Sequence, residues 1–149
     1  MGNIKTIIVQ QDNQLNVDYQ SSNLLRGNNE FAPGDVVALG ADVDLVVGMV
    51  MGRVSATNKL LPLIFDASDG SQYPVGLAWM GLDATKTVVD GTTKSIEVVN
   101  KGKIDGSLIN FTTTSTLDSV VAGRTVRDWL MDIGLVIIDP QEQTGFANA

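Results

Sequence analysis

Short runs of β-branched and apolar residues, each ended by a turn-forming pair, recur along most of this chain. Asp-Gly supplies three of the turns, at residues 69–70, 90–91 and 105–106. Val, Ile and Thr favour strands because a branched Cβ fits a pleated surface, and Asp-Gly accepts the backbone angles that tight turns require. Several such runs in a chain of 149 residues predict one domain of mainly β structure, a small barrel or sandwich.

The longest of these runs, residues 42–54, is predicted to form one strand. Pro33-Gly34 is predicted to be a turn leading into this part of the chain. Gly48 and Gly52 lie on one face of the strand, where the missing side chains predict close packing or a bend. The opposite face carries alternate apolar residues: Val43, Leu45, Val47, Met49 and Met51.

Two Asp-Gly pairs are predicted to close hairpins. A strand over residues 58–68, with Pro62 at its start or at a sheet edge, meets the next apolar run through Asp69-Gly70. Asp90-Gly91 joins two β-rich runs within residues 86–104. The first connection is crowded with side-chain oxygens, but its spacing does not match an EF-hand loop. A turn is therefore favoured over a calcium site.

One helix is predicted, over residues 125–134. Thr125 and Asp128 resemble a capping box at its start, and Gly134 supplies a stop. A last strand, residues 135–139, is predicted to follow the helix. The apolar residues that recur at helical spacing are Val126, Trp129, Leu130 and Ile133.

Residues 1–30 differ from the rest, and residues 31–149 are assigned to the β-rich domain. The first segment is rich in Gln, Asn and Ser, so it cannot bury enough apolar surface to offset its ordering entropy. It is either a frayed terminus or an extended N-terminal arm that orders on a partner. The β-prone run Ile4–Val9 favours the arm, because a free strand can add to the sheet edge of another protein. The residues expected to bind in this way are Ile4, Thr6, Ile7, Ile8 and Val9.

The sequence lacks the residues on which most catalytic and metal sites depend. It has no His and no Cys, which excludes serine–histidine triads, thiolate zinc sites and disulfides. Two carboxylate pairs, Asp42 with Asp44 and Asp128 with Asp132, are better explained as solvated acidic faces than as acid–base groups. No glycine-rich phosphate loop occurs. We therefore expect no enzyme activity, no cofactor and no metal ion.

Charge and hydropathy restrict the partners. The net charge of −7 repels phosphate backbones, and the basic residues are scattered, so nucleic acid is not an expected partner. No stretch reaches the roughly 20 apolar residues that a membrane span needs, and no signal peptide is recognised. We expect a protein that is made in a cytoplasm and has no membrane partner.

Four longer segments, taken in order, carry a family resemblance. They are residues 31–40 (FAPGDVVALG), 59–79 (KLLPLIFDASDGSQYPVGLAW), 96–105 (IEVVNKGKID) and 125–139 (TVRDWLMDIGLVIID). Over residues 31–139 the chain resembles the lambda-type phage head decoration proteins, also called capsid cement proteins. The 105–124 insertion makes this chain longer than the family pattern, and the sequence assigns it no role.

The resemblance implies a small barrel-like or sandwich-like decoration fold and a structural role in a virion. In that family, trimers bind the exterior of the expanded capsid at local three-fold positions and bridge major capsid proteins. The N-terminal arm commonly adds a strand to the capsid protein. The implied partners are the major capsid protein and the other copies of a homotrimer, with synthesis in the host cytoplasm.

Two other functions fit the residues. A phage tail or baseplate β-domain would share the β-rich composition. In a carbohydrate-binding module, Tyr73, Trp79 and Trp129 would stack on sugar rings. Because Trp79 and Trp129 each lie in an apolar run, we expect them in the core or at a subunit interface.

Overall fold

The computed structural model describes residues 24–81, 83–112 and 115–138. Over these residues the fold is mainly β, as the sequence predicts, with one α-helix towards the C-terminal end. The elements in chain order are β1 (Leu25–Val37), β2 (Val43–Val46), β3 (Val50–Val54), β4 (Lys59–Pro62), β5 (Pro74–Trp79), β6 (Thr85–Val88), β7 (Thr93–Asp105), a 3₁₀ helix (Gly106–Leu108), β8 (Val120–Val121), β9 (Arg124–Thr125), α1 (Val126–Ile133) and β10 (Leu135–Ile138).

Five strands form a ring. Their order is β1-β4-β3-β5-β7, and β7 pairs back with β1. The β1–β7 contact is antiparallel and runs along nearly the whole length of both strands. The β1–β4 contact is short, because only Val36 lies opposite Leu60, in a parallel arrangement. The ring is therefore joined firmly on one side of β1 and by a single pair on the other.

β7 joins the ring to the rest of the sheet. β1 lies along one side of β7. On the other side β5 pairs with residues 97–99, and β10 continues, parallel to β7, at residues 102–105. Outside the ring, β2 and β6 form a separate antiparallel pair, and β8 and β9 form a small hairpin before α1.

Apolar side chains pack in two clusters, one on each face of the ring sheet. Successive residues of a strand point to opposite faces, and Val98 and Val99 of β7 accordingly belong to different clusters. The inner cluster fills the ring and is closed by β2 and β6. Its buried members are Val36, Ala38, Leu45, Met49, Met51, Leu60, Ala78, Val88, Ile96 and Val98. The outer cluster lies between the sheet and α1. Its buried members are Leu24, Val47, Val50, Leu63, Leu77, Val99, Ile104, Val121, Val126, Leu130 and Leu135.

The single strand predicted over residues 42–54 is wrong, because β2 and β3 belong to different sheets. The bend that Gly48 predicts is confirmed. Its φ is 87°, in the left-handed region that favours glycine, and a Cβ there would collide with the backbone of Leu108. The apolar alternation is broken next to this bend, because Val47 packs in the outer cluster. Leu45 of β2, before the bend, and Met51 of β3, after it, both reach the inner cluster.

The hairpin predicted at Asp69-Gly70 is wrong. The strand expected over residues 58–68 ends at Pro62, and β3 lies between β4 and β5. Pro62 therefore stands at the end of β4 rather than at its start, beyond the single pair that joins β4 to β1. Residues 63–73 cross from one side of β3 to the other. They stay close to it, since a Cβ on Gly52 of β3 would collide with the backbone of this loop.

The hairpin predicted at Asp90-Gly91 is also wrong, although the turn itself forms. The Thr92 amide donates to the Val89 carbonyl across it, at 2.9 Å. β6 before the turn pairs with β2, whereas β7 after it pairs with β1 and β5. The turn therefore passes the chain from the small sheet to the ring.

The predicted helix is confirmed from Val126 to Ile133. The Thr125 hydroxyl accepts a hydrogen bond from the Asp128 amide at 3.1 Å, which satisfies one of the free N–H groups of the first turn. Gly134 follows the last helical residue, as predicted, and leads directly into β10. The apolar side of α1 packs on the outer cluster.

The 105–124 insertion covers part of the outer cluster. Asn110 lies beside the bend between β2 and β3, where its amide donates to the Gly48 carbonyl (2.8 Å) and its carbonyl accepts from the Val50 amide (2.9 Å). Val121, near the end of the insertion, is buried in the outer cluster. The described part of the insertion therefore takes part in the packing of the domain.

Candidate functional site

The residues expected to add a strand to a partner lie outside the described residues. They are Ile4, Thr6, Ile7, Ile8 and Val9. The structure shows where the chain that follows them joins the domain. Leu24 is buried in the outer cluster, and its carbonyl accepts a hydrogen bond from the Asp105 amide at 2.9 Å. Residues 25–30, assigned to the arm from the sequence, form the start of β1. We call residues 24–30 the arm root.

Asp105 holds the arm root to the end of β7. Its carboxylate pairs with the Arg26 guanidinium at 2.9 Å and accepts hydrogen bonds from the amide (2.9 Å) and hydroxyl (2.7 Å) of Ser107. The Asp105 side chain is only 9% exposed. Burial alone would raise the pKa of Asp105, but the hydrogen bonds from Ser107 and Arg26 outweigh burial and lower it. The ionised carboxylate thus ties β1, β7 and the 3₁₀ helix together.

A bulged stretch fixes the rest of the arm root on β7. The register between β1 and β7 shifts at three places in this stretch. Asn29 reaches across it, since its side-chain amide donates to the carbonyls of Lys101 (3.2 Å) and Lys103 (3.0 Å). The arm root is therefore fixed along β7.

Sequence patterns did not single out Arg26, Asn29 or Asp105 for this role. One signal was present: Asp105-Gly-Ser repeats the residues of the turn at Asp69. In both turns the carboxylate accepts hydrogen bonds from the amide and hydroxyl of the serine two residues later. The partner Arg26 lies 79 residues away in sequence, a separation that local patterns cannot bridge.

The carboxylate of the oxygen-rich turn at Asp69 makes its hydrogen bonds within the loop. Oδ1 of Asp69 accepts from the Ser71 amide at 3.0 Å and from the Ser71 hydroxyl at 2.6 Å. Ser71 is fully buried. The hydrogen bonds from Ser71 lower the pKa of Asp69. The carboxylate that first suggested a ligand site therefore closes the loop over β3.

Trp79 is half-buried at the end of β5. It packs on the outer cluster, and its ring centroid lies 5.9 Å from that of Phe31, which is exposed. Beside Trp79 is an open groove of about 310 Å³, lined in part by Pro33, Met80 and Glu97. Trp79 thus meets the core on one side and faces solvent on the other. This geometry suits either position expected for it, core or subunit interface.

Trp129 is half-buried on α1, and its ring is engaged within the chain. The indole N–H donates to the Val121 carbonyl at 2.8 Å. The Arg124 guanidinium stacks over the ring at 4.6 Å, and Tyr73 packs edge-on with ring centroids 5.3 Å apart. These contacts join α1 to the β8–β9 hairpin and to the loop of residues 63–73. They also occupy surfaces that a sugar ring would need.

Some charged side chains elsewhere in the described ranges form ion pairs. Lys59 pairs with Asp35 at 3.3 Å, and hydrogen bonds from Ser95 and Lys59 lower the pKa of Asp35. Within those ranges no group of three or more His, Cys, Asp or Glu residues could hold a metal ion. None of the helices described is long and apolar enough to cross a membrane.

The family model for bacteriophage lambda head decoration protein D matches residues 17–124. The match begins before the arm root, includes every strand of the ring and ends just before α1. It starts nearer the N-terminus than the resemblance seen in the sequence and stops short of the helix and β10. No curated protein matches the chain. Because the matched residues make up well over half of the chain and include its whole ring, this protein belongs to the lambda-type head decoration protein family of bacteriophages.

Proposed function

We propose that this protein binds the outer surface of an expanded phage capsid as a trimer, at local three-fold positions. There it bridges neighbouring major capsid proteins and stabilises the shell. Family membership supports the capsid decoration role itself, and the observation that carries the proposal is the match over residues 17–124. The match is to a head protein, which favours the head over a tail or baseplate position.

In the proposed arrangement, Ile4–Val9 adds a strand to an edge of the capsid protein. Backbone hydrogen bonds supply affinity in this mode of binding, and alternate side chains supply specificity. The arm root supports the idea: Leu24 is buried, and Arg26 is paired with the nearly buried Asp105. A capsid strand held by the arm would therefore be coupled to the body of the domain.

The remaining surface suits a protein that works on the outside of a shell. The net charge of −7 disfavours contact with packaged nucleic acid. Trp79, with Phe31 and the groove beside it, is the aromatic surface that we assign to contacts between subunits, because buried aromatic anchors dominate many interfaces. The protein is made in the host cytoplasm, acts on the virion exterior and has no enzymatic activity in this proposal.

Removal of residues 1–23 tests the arm. This truncation keeps Leu24 and all of β1, so the domain should stay folded. We expect the dissociation constant for expanded capsids to rise at least about tenfold, equivalent to about 1.4 kcal/mol. Co-sedimentation with expanded and with immature capsids measures it. Undiminished binding by the truncated protein would show that the arm is not the capsid contact.

Solution mass tests the trimer. Light scattering on the full chain should give three copies per particle, and the truncation should keep that number if the subunit interface lies in the body. Trp79→Ala should lower the assembly state, whereas Leu39→Ala, at an exposed apolar side chain elsewhere, should not. A monomer at micromolar concentration would contradict the trimer.

A further inference from the structure

Two strand edges beside the end of β7 lack a partner strand among the described residues. β1 pairs with β7 on one side, but no described strand lies on its other side before Val36. β10 pairs with β7 on one side, and none of the described strands lies on the other. The two edges face away from each other, with β7 between them. An open edge is a template for pairing with another strand.

The open edge of β1 has several features that prevent such pairing. Its register with β7 is irregular at three places. It carries the charged residues Arg26 and Glu30, and Pro33, which has no N–H to donate. Bulges, charges and proline are the devices by which natural sheets protect their edges.

The open edge of β10 has none of these features. Its sequence is Leu-Val-Ile-Ile, without charge, proline or glycine. Its register with residues 102–105 of β7 is regular, and Val136 is 52% exposed. An apolar edge of this kind is one that native sheets normally cover.

The hydrogen-bond pattern shows which backbone groups this edge offers. The Gly102 amide donates to the Gly134 carbonyl at 3.1 Å. Successive residues of a strand direct their backbone N–H and C=O groups to opposite sides. The backbone groups of Val136 therefore also point to β7, whereas those of Leu135 and Ile137 point to the open edge. No backbone hydrogen bond from another described residue reaches that edge.

We propose that Ile4–Val9 of the same chain pairs with this edge of β10 in the free protein. The inference rests on the proposed function, in which the same segment pairs with the capsid protein. Five of the six residues in Ile4–Val9 are Ile, Thr or Val, and none is proline or glycine, so the segment favours a strand. An exposed segment of this kind and an unprotected edge are both aggregation hazards, and pairing them removes both.

The route of the chain allows this pairing. The Leu24 carbonyl accepts a hydrogen bond from the Asp105 amide, and Ile138 lies opposite Asp105 in the β10–β7 register. Leu24 and Ile138 are therefore both next to Asp105. The distance from β1, across β7 and β10, to a strand added beside β10 is three strand spacings, about 14 Å. Residues 10–23 supply fourteen linking residues. A flexible chain of that length has a root-mean-square span of about 20 Å.

Pairing with β10 regulates the arm. The segment can pair with β10 or with the capsid protein, but not with both through the same residues. The affinity for the capsid is therefore reduced by the fraction of chains in which the arm is docked. β10 lies beyond the residues that the family model matches, so this contact is argued from this chain alone.

Amide hydrogen exchange, measured residue by residue on the full chain, tests the proposal. Ile7→Asp/Ile8→Asp places two charges in the segment. Gln10→Asp/Gln11→Asp places the same charges in the linker and is the matched control. Only the first variant should change exchange in β10, and neither should change exchange in β3, which reports that the ring is intact.

The amides on the two edges of β10 give the readout. In Ile7→Asp/Ile8→Asp the amides of Leu135 and Ile137 should exchange at least about tenfold faster, because they lose their partner strand. The Val136 amide, which faces β7, should keep its rate. Equal rates at Leu135 and Ile137 in the native chain and in both variants would overturn the proposal.

Capsid binding by the same variants separates this inference from the proposed function. If Ile7→Asp/Ile8→Asp loses capsid binding without a change in β10 exchange, the capsid-binding arm stands and docking on β10 is wrong. If β10 exchange changes and capsid binding does not, the segment docks on β10 and its proposed capsid contact is wrong.

Discussion

The inner and outer clusters are both well buried, but they are built from different kinds of side chain. Among the described residues, no aromatic ring packs against the inner cluster, which is aliphatic and enclosed by strands. Loops, α1 and the arm root cover the outer cluster, and its partly buried neighbours include Phe65, Trp79, Phe111 and Trp129. The ring thus closes on itself, whereas the outer layer is completed by separate parts of the chain and leaves aromatic surface in reach of partners.

Truncation of Leu60 should have the largest effect, because it breaks the enclosed cluster. Leu60 is fully buried, and strands on every side keep the resulting cavity from collapsing. We expect Leu60→Ala to lower the free energy of unfolding by an amount near the top of the range of about 2–5 kcal/mol. Chemical denaturation measures this loss. Leu39→Ala, at a side chain that is 82% exposed, should change it by less than about 0.5 kcal/mol.

Truncation of Leu130 should cost less and act more locally. Leu130 is fully buried in the outer cluster, but α1 covers only one face of the sheet and can move into the space. We expect Leu130→Ala to lose about 2–3 kcal/mol. Hydrogen exchange should speed up in α1 and β10 before it does in β3. Met131→Ala, on the exposed side of the helix, is the control. Equal acceleration in the ring strands would show that both clusters unfold as one unit.

Trp129→Phe tests the difference between the inner and outer clusters, because it weakens one set of contacts that holds the outer layer together. The substitution removes the hydrogen bond to the Val121 carbonyl and reduces the stacking with Arg124. We expect a loss of about 1–2 kcal/mol in thermal or chemical denaturation. Trp79→Phe is a matched control, because the Trp79 indole donates no hydrogen bond to another described residue. A larger loss of stability for Trp79→Phe than for Trp129→Phe would show that the contacts of Trp129 do not hold the outer layer together.

Acidification should loosen the arm root before the ring. Its effect on stability should be the smallest of these four predictions. The pKa of Asp105 is lowered in the folded protein, so its ionised form stabilises the fold above the unfolded pKa of about 3.9. That contribution is lost as the pH falls through the folded value. Stability measured from pH 6 down to about pH 2.5 should fall less in Asp105→Asn than in Asp83→Asn, which removes an exposed carboxylate. Equal falls would show that Asp105 does not carry the effect.

Local signals in the sequence predicted the helix and one bend, but the turn predicted at Pro33-Gly34 is wrong, because both residues lie within β1. The helix begins after Thr125 and ends before Gly134, as expected, because capping and the helical stop depend on neighbours within one turn. The bend at Gly48 was also predicted. The family resemblance, read from the order of four segments, is confirmed by the family match.

Pairing between distant strands could not be read in the same way. The Asp-Gly turns at residues 69–70 and 90–91 predict a reversal of the chain but do not say which strand comes next in the sheet. That order is set by closure of the ring, in which β1 meets β7 and β3 separates β4 from β5. For the candidate site, the arm and its β-prone segment are predictions from composition and lie outside the described residues. Arg26 and Asp105 could not be predicted in this way, because their contact exists only after β1 and β7 have paired.

The long β1–β7 pair has a mechanical consequence. The register runs from Leu25 opposite Ile104 to Val37 opposite Thr93, and the N-terminal segment continues directly from β1. A pull along that segment, in the direction of the strand, loads these hydrogen bonds together in shear rather than opening them one by one from an end. Resistance to the pull then grows with the length of the shared register. A domain joined in this way withstands tension through its N-terminus even when its equilibrium stability is modest.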